Sequence, residues 1–383
     1  MTQTHIDPGT STWLRVQNDR TALHLLLTHG PLTRAQLGEL SGMSKPTAGQ
    51  MLARLEGAEL IAPVGEVSGS RGPTAVSYGV RADRITGVAV SMHAGFLEAV
   101  LVDAIGTEHP IAKIPLAGRQ RSPEGDIRAA IDAACAAAGV SVDAVAAVAV
   151  GVQAAVWRER DRLSLSDTLP GWPATGSRER IETALGIDIT LENDVNLATM
   201  AERAAGAAQD ASSFALLWLG EGLGVGVDLG GVLHRGAAGG AGEIGYLAAI
   251  RPDTGEPADT TDLLGGPAVL ELLGLPRTGD YAEAVRGLGE NPAALEALAD
   301  RVALALDPVL AVLDPALVVL GGPTGVAGGD AFATRVARGI TSDAHPELAV
   351  RTSLTGPSAV LWGARQLLVD QIRQRLEARI LVG

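Results

Sequence analysis

The chain has 383 residues, 46% apolar and 19% charged, which suits two or three domains and excludes wholesale disorder. Its net charge of −14 is uneven: residues 1–82 carry +1, leaving −15 for residues 83–383, so nucleic-acid contact is expected only in the N-terminal segment, and aromatics at 3% exclude a base-stacking platform. No apolar run reaches the roughly 18–20 residues of a membrane span, the start MTQTHIDPGTSTW lacks the regions of a secretory signal, and one cysteine, Cys135, excludes an internal disulfide and a multi-cysteine zinc site, so the expectation is a cytoplasmic chain with no membrane partner.

The first predicted element is a helix over 11–29, where Trp13, Val16, Ala22, Leu23, Leu26 and Leu27 recur at helical spacing until Gly30-Pro31. Thr33 reads as the N-cap of a second helix, with Gln36 completing a capping box. Ser41-Gly42-Met43 is a tight turn, and Ser44 caps a third helix from Lys45 to about Glu56, with Pro46 in its first turn and Met51, Leu52 and Leu55 on its buried face. Two short helices joined by a glycine turn match a helix-turn-helix, whose second helix would expose Ser44, Lys45, Thr47, Ala48 and Gln50 to base edges. Thr33 and Arg34, at the start of the preceding helix, complete the candidate DNA-contact set. Leu60–Gly65 and Thr74–Val80 read as a hairpin, making a winged helix with Arg71 at the wing tip, placed for a minor groove or a phosphate. The other reading of these residues is a helical hairpin that only packs on the body, with Thr33 and Ser44 as caps and nothing more.

Three phrases, Gly30-Pro31-Leu32-Thr33-Arg34-Ala35-Gln36-Leu37, Gly42-Met43-Ser44-Lys45-Pro46-Thr47 and Arg71-Gly72-Pro73, carry a resemblance. The run from Asn18 to Val80 resembles the N-terminal domain of ROK-family regulators (repressors, open reading frames and kinases) of the xylose-repressor-like kind. The resemblance implies double-stranded operator DNA as a partner.

From residue 84 strands are predicted at Ile85–Ser91, Phe96–Val102 and Ile111–Pro115 in an antiparallel meander. A helix at Asp126–Ala138, strands at Val142–Val150 and Ile187–Leu191, and a helix over 194–208 follow. Further strands are expected at Phe214–Leu219, Val225–Leu229, Val232–His234 and Leu317–Leu320, with helices over 291–313 and 357–379. Strands followed by alternating helices and strands, twice over, suggest two α/β lobes with mixed sheets. The layout resembles the actin-like sugar-kinase fold of ROK proteins. The expected division is therefore 1–82 for a winged helix-turn-helix, 83–193 for a first ROK lobe completed by the C-terminal helix of 357–383, and 194–356 for a second lobe.

Four motifs in the body bear on chemistry. Leu169-Pro170-Gly171-Trp172 resembles the family's loop beside the sugar pocket, although a Pro-Gly turn with a packing tryptophan explains it equally. Leu191-Glu192-Asn193-Asp194-Val195-Asn196 follows a strand and opens a helix; the resemblance makes Asn193 and Asp194 ligands of sugar hydroxyls, and the residues alone allow a plain N-cap. Gly239-Gly240-Ala241-Gly242-Glu243-Ile244-Gly245-Tyr246 resembles the family's Gly-Glu-x-Gly-His, which assigns Glu243 to adjacent hydroxyls and puts Tyr246 where the family has a sugar- and zinc-binding histidine. The stretch of residues 251–259 that follows has no Cys or His, so no structural zinc is expected, and no other cofactor.

Kinase chemistry needs two phosphate loops. Where the family has Asp-x-Gly-Gly-Thr, this sequence has Ser91-Met92-His93-Ala94-Gly95, without the Asp or Thr; the second loop is Gly220-Glu221-Gly222-Leu223-Gly224, with a carboxylate in place of a small hydroxyl. A carboxylate beside a γ-phosphate costs on the order of a few kcal/mol. The later Val318-Val319-Leu320-Gly321-Gly322 matches a strand and glycine pair flanking an adenosine, or a simple strand-ending turn. The expectation is thus a regulator, a repressor by resemblance and not an enzyme, sensing a sugar or sugar derivative through a catalytically inactive body and acting as a homodimer or dimer of dimers. The alternatives are an active sugar kinase with an appended DNA-binding domain and a ligand-free regulator whose body only dimerises.

Overall fold

The computed structural model describes residues 9–67, 74–116, 120–165, 169–251, 254–277, 280–340 and 344–380. Helix α1 (Ser11–His29) buries Ala22, Leu23 and Leu26, matching the expected apolar stripe. A short strand, β1 (Leu32–Thr33), leads into α2 (Arg34–Ser41). Thr33 Oγ1 accepts from the Gln36 N–H at 3.3 Å while Gln36 Oε1 accepts from the Thr33 N–H at 2.9 Å, so the capping box forms as the spacing predicts. Gly42 then takes φ 69°, a left-handed conformation open to glycine at little cost, and turns the chain into α3 (Lys45–Gly57). Strands β2 (Ile61–Val67) and β3 (Ala75–Val80) form the expected hairpin, and β1 adds to the other side of β3. Two residues carry no readable periodicity, which is why that third strand is invisible in the sequence.

The three helices close on Leu23, Leu26, Leu37, Met51, Leu52 and Leu55, all buried. Across this core Arg54 of α3 donates two hydrogen bonds to Asp19 of α1, at 2.8 and 2.6 Å. One expectation fails here. Ala48 does not face outward; it is fully buried, packed toward α2 with the Gly38 backbone across from it.

The body begins with the antiparallel strands β4 (Thr86–Met92), β5 (Phe96–Val102) and β6 (Ala112–Pro115), followed by helix α4 (Pro123–Ala138). Strand β7 (Val145–Val152) runs parallel to β4 and starts later than predicted, because Val142–Ala144 is spent on a 3-10 turn. A small hairpin, β8 (Ala155–Trp157) and β9 (Arg162–Ser164), and helix α5 (Ser177–Leu185) precede β10 (Asp188–Asn193), which pairs parallel with β7. Among the described residues this sheet has the order β10-β7-β4-β5-β6. Helix α6 (Asp194–Ala205) leads to the second sheet through β11 (Ser213–Leu219), β12 (Leu223–Leu229) and β13 (Val232–Leu233).

A second hairpin, β14 (Ala248–Ile250) and β15 (Pro257–Asp259), and the short helices α7 (Thr260–Leu264), α8 (Gly266–Leu272) and α9 (Tyr281–Ala284) precede α10 (Pro292–Leu313). Then come β16 (Leu317–Gly321), α11 (Gly322–Ile340, broken at Gly329), β17 (Ala349–Thr352) and α12 (Ala359–Arg379). The second sheet has the order β13-β12-β11-β16-β17. Helix α11 was not expected, since its glycine-rich start has poor helix propensity; burial of Phe332, Ala333 and Val336 supplies what propensity does not. Helix α12 returns to pack on α6, β4 and β7.

Helix α6 touches strands of both sheets, β10 and β7 on one side and β11 and β12 on the other. Its close seat on β12 needs a glycine, since a Cβ on Gly226 would stand 1.7 Å from Thr199 Oγ1. The element that joins the lobes is therefore also the one that carries the Asn193-Asp194 pair at its start.

Candidate functional site

On the N-terminal unit, Ser44, Lys45 and Gln50 are exposed at the start of α3 and Thr47 is half-buried. Ser44 is both cap and surface: its Oγ accepts from the Thr47 N–H at 3.4 Å and lies 2.8 Å from Thr47 Oγ1. Arg34 is exposed and lies along α3, where a Cβ on Gly49 would come within 3.1 Å of its Nε, so a bare Gly49 lets this guanidinium lie beside the recognition helix. Thr33 departs from the expected set. It is 5% exposed, and its hydroxyl is engaged by Gln36, so it shapes α2 and presents nothing to DNA. Arg71 lies outside the described residues.

In the body, Asn193 is the N-cap of α6: its Oδ1 accepts from the Asn196 N–H at 3.0 Å and its Nδ2 donates to the Ala154 carbonyl at 3.1 Å. The cap reading and the site reading of this residue are thus compatible, since each polar atom keeps one further hydrogen-bonding position. Asn193 is steadied from behind by Glu192, which is 1% exposed and accepts from the Asn193 N–H, from Asn196 Nδ2, from Arg235 Nε at 2.7 Å and from Arg158. Sequence reasoning passed over Glu192, Arg158 and Arg235, because the two arginines lie far apart in the chain and only the fold brings them to one carboxylate.

Asp194 and Glu243 line one recess of about 330 Å³ between the lobes, with Asn193, Gln153, Trp218 and Tyr246. Burial, with the nearby Glu243 charge adding to it, pushes the Asp194 carboxyl up from its ordinary 3.8 to about 7, against the bond it accepts from the Val195 N–H at 2.9 Å. Burial pushes Glu243 up as well. Glu243 is delivered by a tight approach: Gly242 has φ 84°, and a Cβ there would fall 1.8 Å from the Val225 carbonyl oxygen. The Gly-Glu phrase is therefore required by geometry as well as by resemblance. Two carboxylates, one pushed to about 7, facing a recess with an indole wall, form an acceptor-rich pocket of the sort that suits a polyol. Tyr246 reaches the rim and is 57% exposed.

Trp172 does not join this site. It is a core residue of the first lobe whose Nε1 donates to Asp126 Oδ2 at 2.9 Å, so the packing-tryptophan explanation of that loop is the correct one. At the first phosphate-loop position the His93 ring stacks on Phe96 with centroids 4.3 Å apart, Lys113 Nζ lies 3.5 Å from the Phe96 centroid, and His93 Nε2 is 3.2 Å from Ser91 Oγ. Glu221 of the second loop lines the cleft. Among the described residues no three His, Cys, Asp or Glu side chains are gathered closely enough to hold a metal ion; Pro252 and Asp253, in the loop expected to lack zinc ligands, lie outside them. No helix among the described residues is long and apolar enough to cross a membrane.

Comparison with known proteins matches two separate stretches of the chain. The sequence model described as the ROK family matches residues 97–370, and the one described as the MarR family matches residues 18–62. The xylose repressor of Bacillus subtilis (strain 168) is 22% identical over 245 residues, covering 63% of each chain. The present chain thus spans about three-fifths of the length of the curated relatives it matches. In fold it resembles a ROK family transcriptional regulator described as a homolog of the E. coli MLC protein, with a TM-score of 0.66 at 19% identity over 97% of this chain and 100% of that one. A ROK family glucokinase from Streptomyces griseus, solved with glucose and AMPPNP, gives 0.60 at 23% identity over 74% of this chain and 99% of its own.

Proposed function

The chain belongs to the ROK family, and from that premise we propose that it is a DNA-binding transcriptional repressor whose kinase-like body senses a sugar. The observation that carries this reading is the joint presence, on one chain, of an exposed helix-turn-helix surface and a carboxylate-lined interlobe recess. Lys45, Thr47 and Gln50 contact base edges or phosphates of an operator, with Ser44 and Arg34 beside them and Arg71 as a further contact. Asn193, Asp194 and Glu243 accept hydrogen bonds from the hydroxyls of a sugar, and Tyr246 closes the rim.

The bridging position of α6 supports a coupling between the two sites. A sugar that draws both lobes onto α6 changes how two N-terminal units are spaced in a homodimer, or dimer of dimers, acting in the cytoplasm on a palindromic operator. The effector then lowers DNA affinity by its differential affinity for the two arrangements. In this reading the division near residue 82 separates reader from sensor, and the lobes divide near residue 193 with α12 returned to the first.

One observation favours a kinase: an Asp194 carboxyl at about 7 is suited to a general base. The stacked His93 and Phe96 at the first loop and the Glu221 carboxylate at the second weigh against it, because the first position lacks the family's Asp and Thr and the second sets a negative charge beside a phosphate. The decisive experiment titrates the full chain against a fluorescent fragment carrying the region upstream of its own gene, with xylose or glucose added, in parallel with an ATP–Mg²⁺ turnover assay. The reading expects DNA binding that a sugar releases, with no phosphorylated product. A turnover number near the ordinary enzymatic range of about 1–10³ s⁻¹ would replace it by the kinase, and operator binding that no sugar alters would favour a body that only dimerises.

A further inference from the structure

The recess that holds Asp194 and Glu243 does not end at Trp218. A larger recess of about 500 Å³ adjoins it over the first phosphate-loop position, and Gln153, Asp194, Trp218 and Glu221 line both. The two recesses are neighbours, with Trp218 as a shared wall. In a nucleotide-binding cleft the outer part would hold the phosphates, and its charges should suit them. Here the joined walls present the carboxylates of Glu98, Asp194, Glu221, Glu243 and Asp280 against the single ammonium of Lys113, with no arginine. Lys113 itself lies over the Phe96 ring. At separations of several ångströms in a partly desolvated cleft, like-charge repulsion costs on the order of tenfold or more in affinity per charge.

What the outer recess does offer is an indole in its wall with hydrogen-bond acceptors around it. That combination fits the apolar C–H face and hydroxyl rim of a carbohydrate. We propose that the effector is an unphosphorylated saccharide longer than one unit, an oligosaccharide or glycoside. Its first sugar sits by Asn193, Asp194 and Glu243, and its second lies against Trp218 in the space a nucleotide would otherwise take. The inference rests on the sugar-sensing reading and narrows it to a ligand class.

The test is calorimetric titration of the full chain with xylose, xylobiose, glucose, cellobiose, maltose and glucose 6-phosphate. At least one disaccharide should bind about tenfold or more tightly than its own monosaccharide, and glucose 6-phosphate should bind no more tightly than glucose. Ala282→Trp and Gly95→Trp place bulk at the outer recess; Ala282 and Gly95 are exposed, and a Cβ on Gly95 meets no atom within 4 Å. Both variants should erase the disaccharide advantage while leaving monosaccharide and DNA affinities as they were. Glu221→Lys should raise affinity for glucose 6-phosphate. If monosaccharides bind as tightly as disaccharides, if the phosphate improves binding, or if the bulky variants leave the advantage intact, the inference falls while sugar sensing stands. If no member of the panel binds at all, both fall together.

Discussion

The two ends of the proposed signal are built on opposite plans. The N-terminal unit satisfies its own polar groups locally, through caps three residues apart, and leaves its candidate contact residues exposed on a helical core whose apolar packing runs on into the body. The interlobe recess gathers Asn193, Glu243 and Trp218 from segments far apart, and holds Asp194 where burial pushes its carboxyl to about 7. A surface that must meet DNA can leave its charges in water until the partner arrives. A site that must discriminate among neutral polyols needs acceptors already stripped of water, and the raised carboxyls are the physical trace of that requirement.

If the plans are separate, damage at one site should leave the other intact. The largest effect is expected from Asp194→Asn and Glu243→Gln. Each amide places a donor where a sugar hydroxyl also donates, a buried mismatch of about 1–3 kcal/mol, or roughly tenfold to a hundredfold in sugar affinity. Operator affinity without sugar should be unchanged, and in a reporter strain the repressor should stay on its operator whatever sugar is supplied. Release of DNA at the wild-type sugar concentration in both variants would make these carboxylates structural.

The converse variant is Asp19→Ala. It removes both bonds to Arg54, whose side chain is 36% exposed, so the cost should be about 2 kcal/mol, below the 3–5 kcal/mol of a fully buried pair. Hydrogen exchange across residues 11–57 should quicken and DNA binding weaken, while calorimetric sugar affinity holds. A parallel loss of sugar binding would show that the reader and the sensor fold as one unit.

A smaller and more selective effect is expected at the reading surface. Gln50→Ala should cost about 1–1.5 kcal/mol, near tenfold, and relax preference at a single base position, whereas Arg71→Ala should weaken binding to all sequences alike. Competition against a library of singly substituted operators distinguishes the two patterns. Equal affinity of both variants and wild type for every operator would remove the recognition helix and wing from the interface.

The same contrast explains how much could be read from the chain. Thr33, Gln36, Gly42 and Ser44 act within a few residues of one another, so the three helices and their caps were legible nearly to the residue. What failed there was non-local: whether Ala48 faces out depends on how the neighbouring helix packs against α3, and β1 exists only by pairing with β3. In the body, apolar runs revealed most of the strands of both sheets, but α11 was hidden by glycines that its packing overrides. The carboxylates of the recess came from a family phrase, and Glu192 with its two arginines from nothing in the sequence, because no local pattern says that Arg158 and Arg235 meet.

The smallest effect follows from the Asp194 carboxyl itself. Its value near 7 lies above the ordinary 3.8, so in the unliganded protein the folded state holds a proton that the unfolded chain has already released. This group therefore costs stability as pH rises from about 4 to about 7, and Asp194→Asn should raise Tm relative to wild type at pH 8 and not at pH 4. Sugar binding has the opposite sign. Hydroxyls that donate to the carboxylate bind its ionised form, which is about nine-tenths populated at pH 8 and half populated at pH 7. Sugar affinity should thus fall about twofold across that interval in wild type and stay level in Asp194→Asn. The window is kept narrow because Glu243, also raised by burial, adds its own protonation as pH falls. DNA affinity without sugar should show no matching step attributable to Asp194, since that group lies in the recess and not on the reading surface. A sugar affinity that rises as pH falls from 8 to 7 would mean that Asp194 binds as a protonated donor, and the Asp194→Asn amide, a donor too, would then retain binding where the acceptor reading requires it to be lost.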